Sequence, residues 1–181
     1  MTFDADDPAV GKVFKTAEQI QARVVELGTQ ITADYLDRPP LLVCVLRGAY
    51  VFATDLARAI DLPVEIDFIA VSSYGNSTRT SGVVRLVKDL DTDIDGRHVI
   101  LVEDIVDSGL TLRYLKRNLL ARNPASLQVV TLLARDSADL DALDVGHVGF
   151  TIPHNDWLIG YGLDVGQRYR NLSWLAHSSP E

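Results

Sequence analysis

The stretch that decides the fold is Val99-Ile100-Leu101-Val102-Glu103-Asp104-Ile105-Val106-Asp107-Ser108-Gly109-Leu110-Thr111-Leu112. A short apolar run leads to an acidic pair, a small-residue loop and the opening of a helical pattern, so the order is strand, loop, helix. Ser108, Gly109 and Thr111 fall where the loop enters the helix. Backbone amides at a helix start point outward without partners, the helix dipole favours an anion, and the hydroxyls add donors. Gly109 lets the backbone approach a ligand or adopt a positive φ. In chemical terms this is a phosphate cradle. Two carboxylates just before an anion site would be counterproductive unless something bridges the charges. A ribose diol can donate to both, and magnesium takes oxygen ligands of this kind. Glu103, Asp104 and Asp107 beside the cradle therefore predict a phosphorylated sugar with a metal.

Outward from this stretch, strands alternate with helices. Apolar runs at 41–46, 64–71, 83–87, 98–102 and 127–133 predict strands, with a polar turn over 89–96. The run at 41–46 is continuous enough for a strand buried on both faces. Thr16-Ala17-Glu18-Gln19 matches a capping box, and Ile20, Val24, Leu27, Ile31 and Tyr35 follow at helical spacing until Arg38-Pro39-Pro40 stops the helix. Further helices are expected after Arg47-Gly48-Ala49, with Val51, Phe52, Leu56, Ala59 and Ile60, and over 111–122. Residues 1–15 read as a lead-in, and the last sixth of the chain as short strands and turns. The expected fold is α/β: one domain, a mostly parallel sheet with helices on both faces. In such sheets ligands bind beyond the carboxyl ends of the strands.

With 181 residues, 47% of them hydrophobic, the chain suits a single domain with a real core. The net charge of −8 argues against a nucleic-acid backbone as main partner, so no nucleic acid is expected. The one cysteine, Cys44, lies in an apolar run and reads as a small buried hydrophobe. The N-terminus is polar and acidic, and no stretch is long enough to span a bilayer, so a cytoplasmic protein without membrane partners is expected. Asp91-Thr92-Asp93-Ile94-Asp95-Gly96 looks like the start of a calcium loop, but Val102 stands where the bidentate Glu is needed. It reads as an acidic turn. His98, His147, His154 and His177 lack metal-ligand spacing.

The 102–111 string resembles the phosphoribosyl pyrophosphate signature of the type I phosphoribosyltransferases, and its flanks look like the hypoxanthine-guanine branch. The resemblance covers nearly the whole chain. It implies a core over about 16–145 and a small base-binding hood from about 146–181 with the N-terminal lead-in. Glu103, Asp104, Ser108, Gly109, Leu110 and Thr111 match the phosphate and ribose site, with Asp107 the candidate general base. Arg47 and Gly48 resemble the pyrophosphate loop, joined by Arg170. Ser73 and Tyr74 fall in a stretch similar to the mobile loop that closes over the reacting centre. Trp157 matches the aromatic that stacks on the purine, and Leu158 the residue offering backbone groups to its edge. Glu103, Asp104 and Asp164 match family acids associated with Mg2+. One departure concerns the base: the family usually has a Lys where Arg135 stands. Arginine also donates but through a longer, planar fork, which leaves the ranking of hypoxanthine, guanine and xanthine open.

The resemblance implies a purine salvage enzyme acting on phosphoribosyl pyrophosphate and a 6-oxopurine, with IMP or GMP and pyrophosphate as products. It also implies a homodimer or homotetramer. The alternative of another class is a nucleotide-sensing, RNA-binding regulator of the same fold, and an adenine or xanthine-guanine transferase fits the flanks less well.

Overall fold

The computed structural model describes residues 9–73 and 84–178. In chain order its elements are β1 (Val10–Lys15), α1 (Ala17–Asp34), β2 (Leu41–Leu46), α2 (Tyr50–Ala59), β3 (Glu65–Ser73), β4 (Val84–Lys88), β5 (His98–Val106), α3 (Leu110–Leu120), β6 (Ser126–Arg135), α4 (Leu140–Leu143), β7 (His147–Ile152), β8 (Leu158–Ile159) and β9 (Leu175–Ser178). Six strands form the main sheet in the order β4-β3-β2-β5-β6-β7, and β1, β9 and β8 form a second sheet. Within the main sheet only β4 runs antiparallel to its neighbour.

Local chemistry accounts for the helices. Thr16 caps α1 through its hydroxyl, which accepts from the Gln19 N–H, while the Gln19 side chain accepts from the Thr16 N–H. The apolar face Ile20, Val24, Leu27 and Ile31 is buried against α2 and one face of the sheet, with Phe52 and Leu56. The other face packs on α3 through Leu112, Leu115 and Leu119. Each such side chain, fully buried, contributes about 1.5–3 kcal/mol. Leu41, Leu42, Val43 and Cys44 are fully buried, as a central strand covered on both faces requires.

Three boundaries differ from the sequence expectation. β5 continues through the acidic pair to Val106, because ladder pairs such as Glu103 with Thr131 and Ile105 with Leu133 carry the strand past its last apolar run. β7 belongs to the main sheet, so the core reaches Ile152, beyond 145. Its half-buried residues gave no apolar run, and Arg23 of α1 caps the Val148 and Gly149 carbonyls of this edge strand. Part of the lead-in is itself a strand, β1, which pairs with β9.

Candidate active site

The strand order reverses between β2 and β5, since β3 lies to one side of β2 and β6 to the far side of β5. A crevice at such a switch point is the expected ligand site. The loop after β2 carries Arg47 and Gly48, and the end of β5 carries Glu103, Asp104 and Asp107. The Leu46–Arg47 peptide is cis. A side chain at Gly48 would fall on the Asp104 carboxylate, so glycine there is what lets the acid reach across to the β2 loop.

Asp104 Oδ1 accepts from the Ile105 N–H at 2.8 Å. Glu103 is only 5% exposed, and burial followed by the neighbouring Asp104 charge holds its carboxyl well above the usual range. Burial also raises Asp104, with backbone hydrogen bonds and Arg170 opposing and Asp164 adding to the rise. Among the described residues neither carboxyl forms a salt bridge, and Arg170 acts on Asp104 only from further off. Cys44, beneath them, has its thiol pushed up to about 12 by burial and then by the same two acids.

Beyond β5 the chain turns into α3 through Gly109, which has φ +74. Two constraints fix glycine here: the left-handed conformation, and the Leu143 methyls 2.7 Å from where a side chain would begin. Among the described residues no side chain caps α3 at Gly109, so its first amides are left for other partners, flanked by exposed Ser108 and Leu110 and half-buried Thr111.

On the other wall, Arg135 ends β6. It is buried, with Nε 2.9 Å from Asp107 Oδ1 and Nη1 donating to the carbonyls of Pro153 at 3.0 Å and Asp156 at 2.8 Å. Its guanidinium lies 5.8 Å from the centre of the Trp157 ring. Trp157 is 67% exposed, an unusual state for tryptophan, whereas Leu158 is buried in β8.

A third group faces the β2 loop. Arg170 pairs with Asp164 at 2.7 Å and donates to the Gly162 carbonyl at 2.7 Å. Gln167, which sequence reasoning did not single out, ties the group together: its Oε1 accepts from Arg47 at 3.0 Å and Arg170 at 3.1 Å, and its N–H donates to Asp164. A lone glutamine in a polar stretch gives no signal of this kind.

The donor set suits a hard cation, because buried Glu103 and partly buried Asp104 offer adjacent oxygen ligands. Among the described residues no three His, Cys, Asp or Glu side chains converge on one point. Asp164, matched by the resemblance to a second magnesium, is engaged by Arg170. Magnesium is commonly held by one or two carboxylates with substrate and water oxygens completing its shell, so these acids fit it as partial ligands. The acidic turn at 91–96 links β4 to β5 as anticipated. Ser73 ends β3, and Tyr74 lies outside the described residues.

A helix start at Gly109 without a side-chain cap, an adjacent acid pair and a basic cluster near the strand-order reversal are features in keeping with a phosphoribosyltransferase. The phosphoribosyl transferase domain family matches residues 14–165. A hypoxanthine-guanine phosphoribosyltransferase of Mycobacterium tuberculosis is 54% identical over 177 residues, covering 94% of this chain and 87% of that protein. The Bacillus subtilis enzyme of the same name is 45% identical, covering 94% of each. The crystal structure of a hypoxanthine phosphoribosyltransferase from Staphylococcus aureus has a TM-score of 0.90 and 36% identity, covering 99% of this chain and 97% of that one. The chain belongs to the hypoxanthine-guanine phosphoribosyltransferase family. The sensor alternative draws no support from these relatives.

Proposed function

We propose that this protein transfers the 5-phosphoribosyl group from phosphoribosyl pyrophosphate to hypoxanthine or guanine, releasing pyrophosphate and giving IMP or GMP. The observation that carries the reading is the adjacent acid pair, buried Glu103 and partly buried Asp104, at the strand-order reversal where α3 also begins. The identity to enzymes of that name supports the substrate class.

The 5′-phosphate binds the amides and hydroxyls of Ser108, Gly109, Leu110 and Thr111, and the ribose diol donates to Glu103 and Asp104. Magnesium, held by Glu103 and Asp104 with Asp164 toward a second ion, would neutralise pyrophosphate charge when bound. The purine stacks on Trp157, with Leu158 backbone groups at its edge. Arg135 spends Nε and Nη1 on Asp107 and two carbonyls, which leaves Nη2 for the 6-oxo group. The bond from the ribose C1 to pyrophosphate breaks with its electron pair leaving on oxygen, and the N9 lone pair forms the new bond. Asp107 takes the purine ring proton through the carboxylate oxygen that Arg135 does not bind. Arg47, Gly48 and Arg170 receive the departing pyrophosphate.

No described helix is long and apolar enough to cross a membrane. We take the protein to be cytoplasmic and to act as a homodimer or homotetramer. Its hood comprises β1, β8 and β9 set on the 16–152 core. Assaying hypoxanthine, guanine, xanthine, adenine and uracil separately tests the reading. Turnover confined to 6-oxopurines is expected, and preferred use of adenine or uracil would contradict it.

A further inference from the structure

Three consecutive residues, Gly160, Tyr161 and Gly162, adopt positive φ, at +95, +48 and +100. The glycines meet contact requirements: a side chain on Gly162 would strike the Gly48 carbonyl, and one on Gly160 the Trp174 carbonyl. Tyr161 is different, because a tyrosine rarely adopts this conformation and must be held in it. Its N–H donates to the Leu172 carbonyl at 2.9 Å. Its side chain is nearly fully buried, and the hydroxyl donates to Asp55 Oδ2 at 2.7 Å. Burial, with Asp55 adding, raises the phenol far above its ordinary value, so it stays a donor at any working pH.

The bond joins two parts of the site that are distant in sequence. Asp55 lies in the middle of α2, the helix that opens directly behind Arg47 and Gly48. Tyr161 lies in the turn whose backbone holds Arg170: the Gly162 N–H donates to the Arg170 carbonyl, and Arg170 donates back to the Gly162 carbonyl. The exposed bridge through Gln167 crosses the same gap, but solvent competes for it. The phenol–carboxylate bond is part-buried and charge-assisted, the stronger of the two kinds.

We propose that Tyr161 and Asp55 are positioning residues that hold the turn bearing Asp164 and Arg170 in register with the Arg47–Gly48 loop, and so set the affinity for the pyrophosphate group. This rests on the transferase reading above. The base-stacking segment is held separately, through the pairing of Leu158 with His177 and Ile159 with Ala176, so purine binding is not coupled to the bolt.

The test is steady-state kinetics of the full chain in both directions, with melting temperature measured alongside. Tyr161→Phe should raise KM for phosphoribosyl pyrophosphate and for pyrophosphate about tenfold, the usual loss for a hydrogen bond to a charged group, and leave KM for hypoxanthine within about twofold. Asp55→Ala should reproduce that split. Asp55→Asn, which keeps an oxygen acceptor, should restore most of the affinity. Equal increases in all three KM values, or a lowered melting temperature with unchanged constants, would overturn the inference. An inactive wild-type protein would sink the transferase reading itself, a failure visible before any variant is compared.

Discussion

Arg135 Nε sits 2.9 Å from Asp107 Oδ1, and this single pair joins the end of β6 to the loop that opens α3. The pairing is lopsided. Arg135 is buried, whereas the Asp107 side chain is 65% exposed, so solvent screens the bond and its contribution to folding is about 1 kcal/mol or less. Asp107→Asn, which keeps an oxygen facing Arg135, should therefore fold normally. As the proposed base it should nonetheless lose turnover by about 10²–10⁴-fold with little change in substrate KM. A variant with full turnover removes Asp107 from the chemistry.

Arg135→Lys tests the departure at the purine pocket. A lysine offers one ammonium point where arginine reaches an acid and two carbonyls at once. It cannot hold all three and still donate to the base. The ratio of kcat/KM for hypoxanthine to that for guanine should shift in this variant, and an unchanged ratio would show that Arg135 only braces the wall.

Gly48→Ala places a methyl where the Asp104 carboxylate lies. Either the acid or the β2 loop must move. The stability cost should be about 1–3 kcal/mol, typical of overpacking, read as a lower denaturation midpoint. Activity should fall at least about tenfold, since displacement at a reacting site is costly. Wild-type stability and activity would contradict the close approach of Gly48 and Asp104.

Asp67 gives the pH dependence. Burial pushes its carboxyl up, but the N–H groups of Phe68 at 2.7 Å, Thr92 at 2.8 Å and Asp91 at 2.9 Å outweigh this and leave it below the ordinary value. A carboxyl lower in the folded than in the unfolded state adds stability above the unfolded value, about 3.9, and loses it as pH falls through the folded value. At pH 7 Asp67→Asn should cost about 1–3 kcal/mol, because an amide cannot accept from all three donors. The gap from wild type should narrow below about pH 4. A gap constant from pH 7 to pH 3 would contradict the assignment.

Much of the fold was legible because its signals are local. The capping box of α1 and the continuous run of β2 need only neighbouring residues to be recognised. The 102–111 string announced the cradle because one turn of chain contains the glycine, the hydroxyls and the acids. What stayed hidden depends on partners far away in sequence. β1 is a strand only because β9 lies beside it, and β5 passes through Glu103 and Asp104 because β6 supplies the ladder. The pairing of Arg135 with Asp107 could not be read locally, because a helix and most of a strand separate the two in sequence. Gln167 carried no mark at all, and its role follows from the two arginines the fold sets around it.

The most direct test of the central claim is product formation from hypoxanthine and phosphoribosyl pyrophosphate, with magnesium present and then chelated. IMP and pyrophosphate should appear one for one, and both should stop on chelation. Absence of IMP with hypoxanthine and guanine alike, while phosphoribosyl pyrophosphate still binds, would contradict the account and leave the crevice a binding site only.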